Sequence, residues 1–531
     1  MADLDLLIIL IAVSVVLVRL ADLIAIPYPI VLVIAGIGIG VAPIPTEIEI
    51  RPEVIFLIFL PPLIYAAALT TSAAELREEA GPLGGLVVGL TLATMAGVAA
   101  ITVAVIPGFN WLDGFLLGAI VCPTDPVAAV ATFARVGVPK RVAVLVEGES
   151  LINDAVGLVL YKVALAAVLT GALTGREVIS DLVIAVVGGL VVGIAIAWFA
   201  GRMQRRLEDP ALSILLSVVV AYGSYLVAEH IGASGVLAVV ASGVYSGWRS
   251  TDNIDAETRL SARAFWGAIV FALNVILFIL LGLRLPGILD SVNQTLSVGE
   301  MIAYGTLVSF VVMAIRMAWQ FGPVSIGRIF SPALRFDTGE GWKDRVIVGW
   351  SGMRGAVSLA AALSLPVTID LSDRFDAGRE TLIYLAVAVI IFTLVFQGLT
   401  LPLLIRWLGV DAEDEWSPEE AETRVDLARA AISKLEEIES DPPKHLPDGA
   451  LERIRNLYEI RKERWKKSAH GPEHHEHADK PFDAVSEVRL MLIDAERQAL
   501  DARRQENEIS ADGYAAIQRE LDLDEARVLN S

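Results

Sequence analysis

The chain has a single cysteine, Cys122, in 531 residues, so no disulfide can form within it. A lone thiol beside a broken helix mostly fills apolar space, and Cys122 is read that way. Charge is scarce over the first 410 positions, which carry −7 of the net −20, because residues 411–531 hold 31 Asp and Glu against 18 Lys and Arg. An acidic C-terminal segment is repelled by anionic lipid and by phosphate backbones, which sets aside an electrostatic membrane anchor and a nucleic-acid role. The apolar start, residues 4–26, lacks a basic leading region and a small-residue cleavage site and contains Arg19 and Asp22. It reads as a first membrane span and not as a secretion signal. No segment has the carbonyl or charge rings of a selectivity filter, which argues against a channel. No internal repeat is visible residue by residue.

What is abundant is apolar sequence. With 55% hydrophobic residues and a mean hydropathy of +0.61, the chain is too apolar for a soluble protein and too long for one compact domain. Hydropathy gives thirteen spans, at 4–26, 28–43, 53–72, 83–106, 113–134, 142–169, 179–201, 210–228, 231–248, 261–284, 298–326, 345–368 and 380–408. With the N-terminus outside, the cytoplasmic loops hold fourteen Lys and Arg and the opposite loops five. The positive-inside rule then places the C-terminal tail in the cytoplasm of a cell-membrane protein. The expected fold is all-α and polytopic: a transmembrane domain over 1–410, then an acidic helical cytoplasmic tail over 411–531. The tail's helical stretches are 418–440, 448–468 and 481–509, parted by Asp441-Pro442-Pro443 and by a run holding His470, His474, His475 and His477. That run lacks cysteine and rigid spacing, and reads as a solvated linker rather than a metal site. Glycine-rich stretches such as 35–40 and 187–193 suit close helix packing in lipid.

The informative stretch is 121–162. Asp125, Glu147, Glu149 and Asp154 fall at or near bilayer depth there, where an ionisable group costs about 2.5–3.5 kcal/mol on insertion scales. Asp154 lies twelve residues into the apolar run that starts at Val142, which is about 18 Å down, near the midplane. Ser150 and Asp154 share a helix face with Asn153 beside them, so oxygens converge on one side, the outline of a small-cation site. Upstream, Pro123 and Pro126 bracket Thr124 and Asp125 and should break their helix, freeing carbonyls that must line a cavity or be buried. A second break is expected at Ser351-Gly352-Met353-Arg354-Gly355. Two interrupted helices suit the inverted-repeat transporters, whose broken helices cross at the midplane and carry the site.

Thr124-Asp125-Pro126-Val127-Ala128, Glu147 through Ala155, and Gly352 through Ser358 together resemble the signature stretches of the cation/proton antiporter-1 family, the bacterial and animal sodium/proton exchangers. The resemblance covers about residues 5–410. It implies a homodimeric secondary antiporter without cofactors that exchanges Na⁺ (or Li⁺) for H⁺ in pH homeostasis, with K⁺ open as an alternative cargo. It maps Asn153-Asp154 onto the pair that binds cation and proton alternately, and has Asp125, Thr124 and Ser150 complete a Na⁺ site. It also implies that Glu149 and Arg354 form a buried ion pair bracing the two central helices. One departure stands out: many archaeal and bacterial members carry a third-span glutamate where this chain has Ala66.

The other intramembrane polar residues read as structural. Lys162 is expected to snorkel outward, and Asn274 and Arg316 to make interhelical hydrogen bonds. Glu147 is read equally as a funnel residue and as merely solvated. An intramembrane aspartyl protease also places two aspartates at depth, but Thr124 and Asn153 beside Asp125 and Asp154 look like a ligand set. The chain is therefore read as no enzyme.

Overall fold

The computed structural model describes residues 13–21, 23, 27–41, 52–71, 73–170, 175–330, 341–366, 378–410, 418–440, 449–469 and 480–505, with 517–518, 521–525 and 528 beyond them. Among the described residues every regular element is helical. The chain divides into two compact units, Met1–Asp411 and Ala412–Ser531.

In the first unit, residues 13–21 are helical. They are followed by α1 (Tyr28–Val41), α2 (Pro52–Thr70), α3 (Ala73–Val105), α4 (Trp111–Val121), α5 (Val127–Val136), α6 (Lys140–Thr170), α7 (Gly175–Gln204) and α8 (Pro210–His230). Then come α9 (Gly235–Trp248), α10 (Ala256–Val292), α11 (Val298–Phe330), α12 (Trp342–Trp350), α13 (Ala356–Leu363), α14 (Arg379–Phe392) and α15 (Gly398–Leu408). Seven stretches, in α3, α6, α7, α8, α10, α11 and the joined α14 and α15, are long and apolar enough to cross a bilayer, and α1, α2, α4 and α9 are shorter apolar helices. This is a multi-pass membrane protein.

Local chemistry sets where helices start. Asn110 Oδ1 caps α4 by accepting from Leu112 N at 2.8 Å and Asp113 N at 3.0 Å. Asp209 caps α8 ahead of Pro210, whose missing N–H costs nothing in a first turn. Asp255 caps α10 through Thr258, and the hydrogen bonds from the Thr258 side chain and backbone hold its carboxyl below the usual carboxylate range. Close packing then follows from glycine: a Cβ on Gly36 would stand 2.4 Å from Ile279 O, and one on Gly193 2.1 Å from Ala238 O. Those contacts bring α1 against α10 and α7 against α9.

The two expected breaks are present. Cys122–Pro126 separates α4 from α5, and Ser351–Gly355 separates α12 from α13. Both pass through the centre of the core, where Leu116, Leu117, Ile120 and Leu359 are fully buried. A third irregularity, a π turn over Thr393–Gln397 between α14 and α15, has no counterpart in the sequence reading.

In the second unit, α16 (Pro418–Ser440) and α17 (Ala450–Ala469) pair around Ala421, Val425 and Trp465, with the Arg424 guanidinium 4.3 Å from the Trp465 ring. Along α18 (Lys480–Gln505), Ile493 and Leu500 pack with Leu521 and Val528, and Arg497 pairs with Asp522 and Glu525. The breaks expected at Asp441–Pro443 and at the histidine run lie outside the described residues.

Candidate functional site

Between residues 121 and 126 the backbone leaves the helical ladder, because Pro123 and Pro126 offer no N–H. The carbonyls so released must find donors elsewhere. Arg354 Nε donates to Val121 O (2.8 Å), Asn153 Nδ2 to Cys122 O (2.8 Å), Ser358 Oγ to Pro123 O (3.1 Å) and Ser150 Oγ to Thr124 O. The amides are matched too: Thr124 N donates to Asp154 Oδ1 at 3.1 Å, and Asp125 N to Met353 O at 2.8 Å. The last bond ties one broken helix to the other.

The second break is anchored in return. Arg354 N donates to Thr393 Oγ1 at 3.1 Å, a contact supplied by the π turn. The Asp125 carboxylate accepts from Val127 N at 2.9 Å and from Ala356 N at 3.3 Å, so it stands at the N-termini of α5 and α13 together, where helix dipoles favour a negative charge. A Cβ on Gly355 would lie 1.8 Å from Asp125 Oδ2, so only glycine lets the carboxylate approach.

A cavity of about 1120 Å³ reaches this crossing. Thr124, Asp125, Ser150 and Asp154 line its inner part. Thr71 just past α2, Gln204 at the end of α7, Trp248 at the end of α9 and Arg259 near the start of α10 line it as well. Glu147, exposed, lines it one turn from Ser150. The inner part thus gathers carboxylate and hydroxyl oxygens, a donor set suited to a hard cation or a proton. Asn153 is not on the wall. It is buried, with its nitrogen on Cys122 O and Thr124 Oγ1 (3.3 Å) and its oxygen accepting from Thr91 Oγ1 (2.9 Å). Cys122 fills space beside it.

The family profile described as "Sodium/hydrogen exchanger, transmembrane" matches residues 7–407, a range that contains the whole crossing. The chain belongs to this family. It is 30% identical over 505 residues to the uncharacterized Na(+)/H(+) exchanger YjcE of Escherichia coli, covering 91% of this chain and 90% of that one. It is 33% identical to a sodium, potassium, lithium and rubidium/H(+) antiporter of Bacillus pumilus, over 73% of this chain and 59% of the relative. The fold is shared with the sodium proton antiporter MjNhaP1 of Methanocaldococcus jannaschii, with a TM-score of 0.60 at 20% identity over 76% of this chain and 98% of that one.

Two of the expected roles change in this exchanger. Glu149 does not take Arg354 as its partner. Arg316, from α11, holds it with a two-pronged contact, Nη1 to Oε1 at 2.6 Å and Nη2 to Oε2 at 3.2 Å, and both side chains are buried. Arg354 instead satisfies Val121 O and Gly352 O, because the paired breaks leave carbonyls that need donors. Lys162 does not snorkel: it pairs with Glu229 at the end of α8 and lies 5.9 Å from the Tyr225 ring. Glu229 also accepts from Gly235 N at 2.8 Å, and the sequence reading passed over it. Arg316, expected to make interhelical hydrogen bonds, makes them to Glu149, as an arginine inside the apolar run of α11 demands a carboxylate.

Proposed function

We propose that this exchanger moves a monovalent cation, Na⁺ or Li⁺, against H⁺ by letting the two compete for Asp154 and Asp125. The observation that carries this reading is a pair of carboxylates on the wall of one cavity, at the crossing of two broken helices, with Ser150 and Thr124 beside them. A carboxylate holds a proton or a metal ion, not both, so loading one expels the other and coupling needs no separate proton path. Asn153 and Ser358 position the broken backbone, and the Glu149–Arg316 pair braces α6 against α11.

The topology proposed is thirteen crossings in inverted repeats, with α4, α5 and α6 corresponding to α12, α13 and the helix that follows. With the N-terminus outside, the cavity mouth lies on the side of the basic loops that carry Arg202, Arg205 and Arg249. That supports an inward-open state in a cell membrane. The other end is closed by contacts from the helix of Asp154, Lys162 to Glu229 and Tyr161 Oη to Ser364 Oγ at 3.1 Å. Transport then consists of breaking those contacts as the crossing is carried to the outer face. Residues 1–410 transport, and 411–531 form a cytoplasmic domain.

K⁺ is the second reading for cargo, favoured by the sodium, potassium, lithium and rubidium antiporter among the relatives. Everted vesicles given Na⁺, Li⁺ and K⁺ in turn test both. A cation-dependent collapse of the pH gradient is expected. Cation conductance without coupled proton movement would make the protein a channel instead.

A further inference from the structure

The second unit leaves an apolar helix face uncovered. Along α18, Val488, Met491, Leu492, Ala495, Ala499 and Ala502 recur at three- and four-residue spacing and so form one stripe on the helix. All six are exposed, Val488 to 53% and Met491 and Leu492 to 60%. A separate face, with Ile493 and Leu500, is the one that packs with Leu521 and Val528. Val488, Leu492, Ala495, Ala499 and Ala502 keep the heptad interval along which two helices wrap together, and a contiguous exposed apolar patch marks an interaction surface. Lipid is a poor match for it. Residues 411–531 hold 31 Asp and Glu against 18 Lys and Arg, a balance that anionic headgroups repel.

We propose that α18 pairs through this stripe with α18 of a second copy of the chain, the two helices running antiparallel. Charge selects both the copy and the direction. Arg489 and Glu496, both exposed, lie along one edge of the stripe, and Met491 and Gln498 lie along the other. An antiparallel pair sets like edges together, so Arg489 meets Glu496 of the second copy, and the twofold axis repeats the contact. A parallel pair would set that charged edge against Met491 and Gln498, which carry no charge. The antiparallel register also places Leu492 across from Ala495 and Val488 across from Ala499, a large side chain over a small one in each layer. A few turns of helix bury less than the ~1,200 Å² of a lasting interface, so the pair forms where the bilayer holds two copies at high local concentration.

The test crosslinks the full chain in native membranes with a short, membrane-permeant bis-maleimide, in a Cys122→Ala background. With the twofold axis midway between Leu492 and Ala495, the two copies of residue 492 stand about 4.5 Å apart along the helices and those of residue 502 about 25 Å. Leu492→Cys should therefore give a covalent dimer and Ala502→Cys should not. If Leu492→Cys does not accumulate, Ala495→Cys has the same separation and must crosslink in its place. Arg489→Glu added to the crosslinking variant puts two acids face to face, and should cut the dimer yield about fivefold. Glu496→Arg added to that chain exchanges the charges and should restore the yield. Equal crosslinking at 492 and 502, no dimer from abundant Leu492→Cys or Ala495→Cys protein, a product with some other protein instead, or a yield indifferent to the charge exchange would each overturn the proposal.

Discussion

Asp125 keeps its place because groups from both broken helices converge on it: its amide on Met353 O, its carboxylate on Val127 N and Ala356 N, and the bare face of Gly355 against Oδ2. Gly355→Ala should therefore abolish exchange and lower the melting temperature of the purified protein, since a Cβ 1.8 Å from the carboxylate forces the crossing apart. Wild-type flux in that variant would mean that the carboxylate does not sit there during transport. The Glu149–Arg316 pair makes a second residue-scale prediction. Removing either partner leaves a buried charge uncompensated, at about 3–5 kcal/mol. Glu149→Ala and Arg316→Leu should each destabilise strongly, and the double variant should lose less than the two losses summed. Simple additivity in thermal or denaturant unfolding would show that the two side chains do not depend on one another.

Among the elements, α6 bears on both faces of the site. Ser150 and Asp154 line the cavity, and about two turns further on Tyr161 and Lys162 make the contacts proposed to close the far end. Glu229→Gln removes the charge that Lys162 meets, and should shift the population toward the outward-facing state. Ala66→Cys, in a background with Cys122→Ala, places a thiol on the cavity wall for an impermeant reagent applied to everted vesicles. Labelling should slow in the Glu229→Gln variant, and an unchanged rate would remove these contacts as a gate. Much at this scale was legible in the sequence. Prolines at 123 and 126 and glycines at 352 and 355 announced both breaks, because each residue type has a local backbone consequence. Pairings across helices were not legible: Glu149 and Arg316 are 167 positions apart and Lys162 and Glu229 are 67 apart, and no local rule says which helix faces which. Arg354 looked like the partner of Glu149 because both are intramembrane charges. The demand of the released carbonyls, visible only once the breaks are paired, takes Arg354 instead.

For the whole molecule, the intramembrane carboxylates and both breaks lie in the first compact unit, while five of the six histidines and most of the excess acid lie after residue 410. Histidine titrates near pH 6.5 and clustered acids repel as they ionise, so the second unit is suited to modulating the exchange equilibrium and not to carrying ions. A chain ending at Val410 should keep cation/proton exchange and show a shifted pH profile when compared at equal membrane abundance. Complete loss would place an essential element in the tail, and superimposable profiles would end its regulatory role. Competition between Na⁺ and H⁺ at Asp154 and Asp125 is tested most directly by the KM for Na⁺ of the wild-type exchanger in liposomes, measured across pH. Protonated carboxylates must release a proton before accepting a cation. KM should therefore rise as pH falls, approaching about tenfold per pH unit for one displaced proton, while the rate at saturating Na⁺ holds steady. A KM that does not change with pH, in protein that exchanges normally, would contradict a shared site.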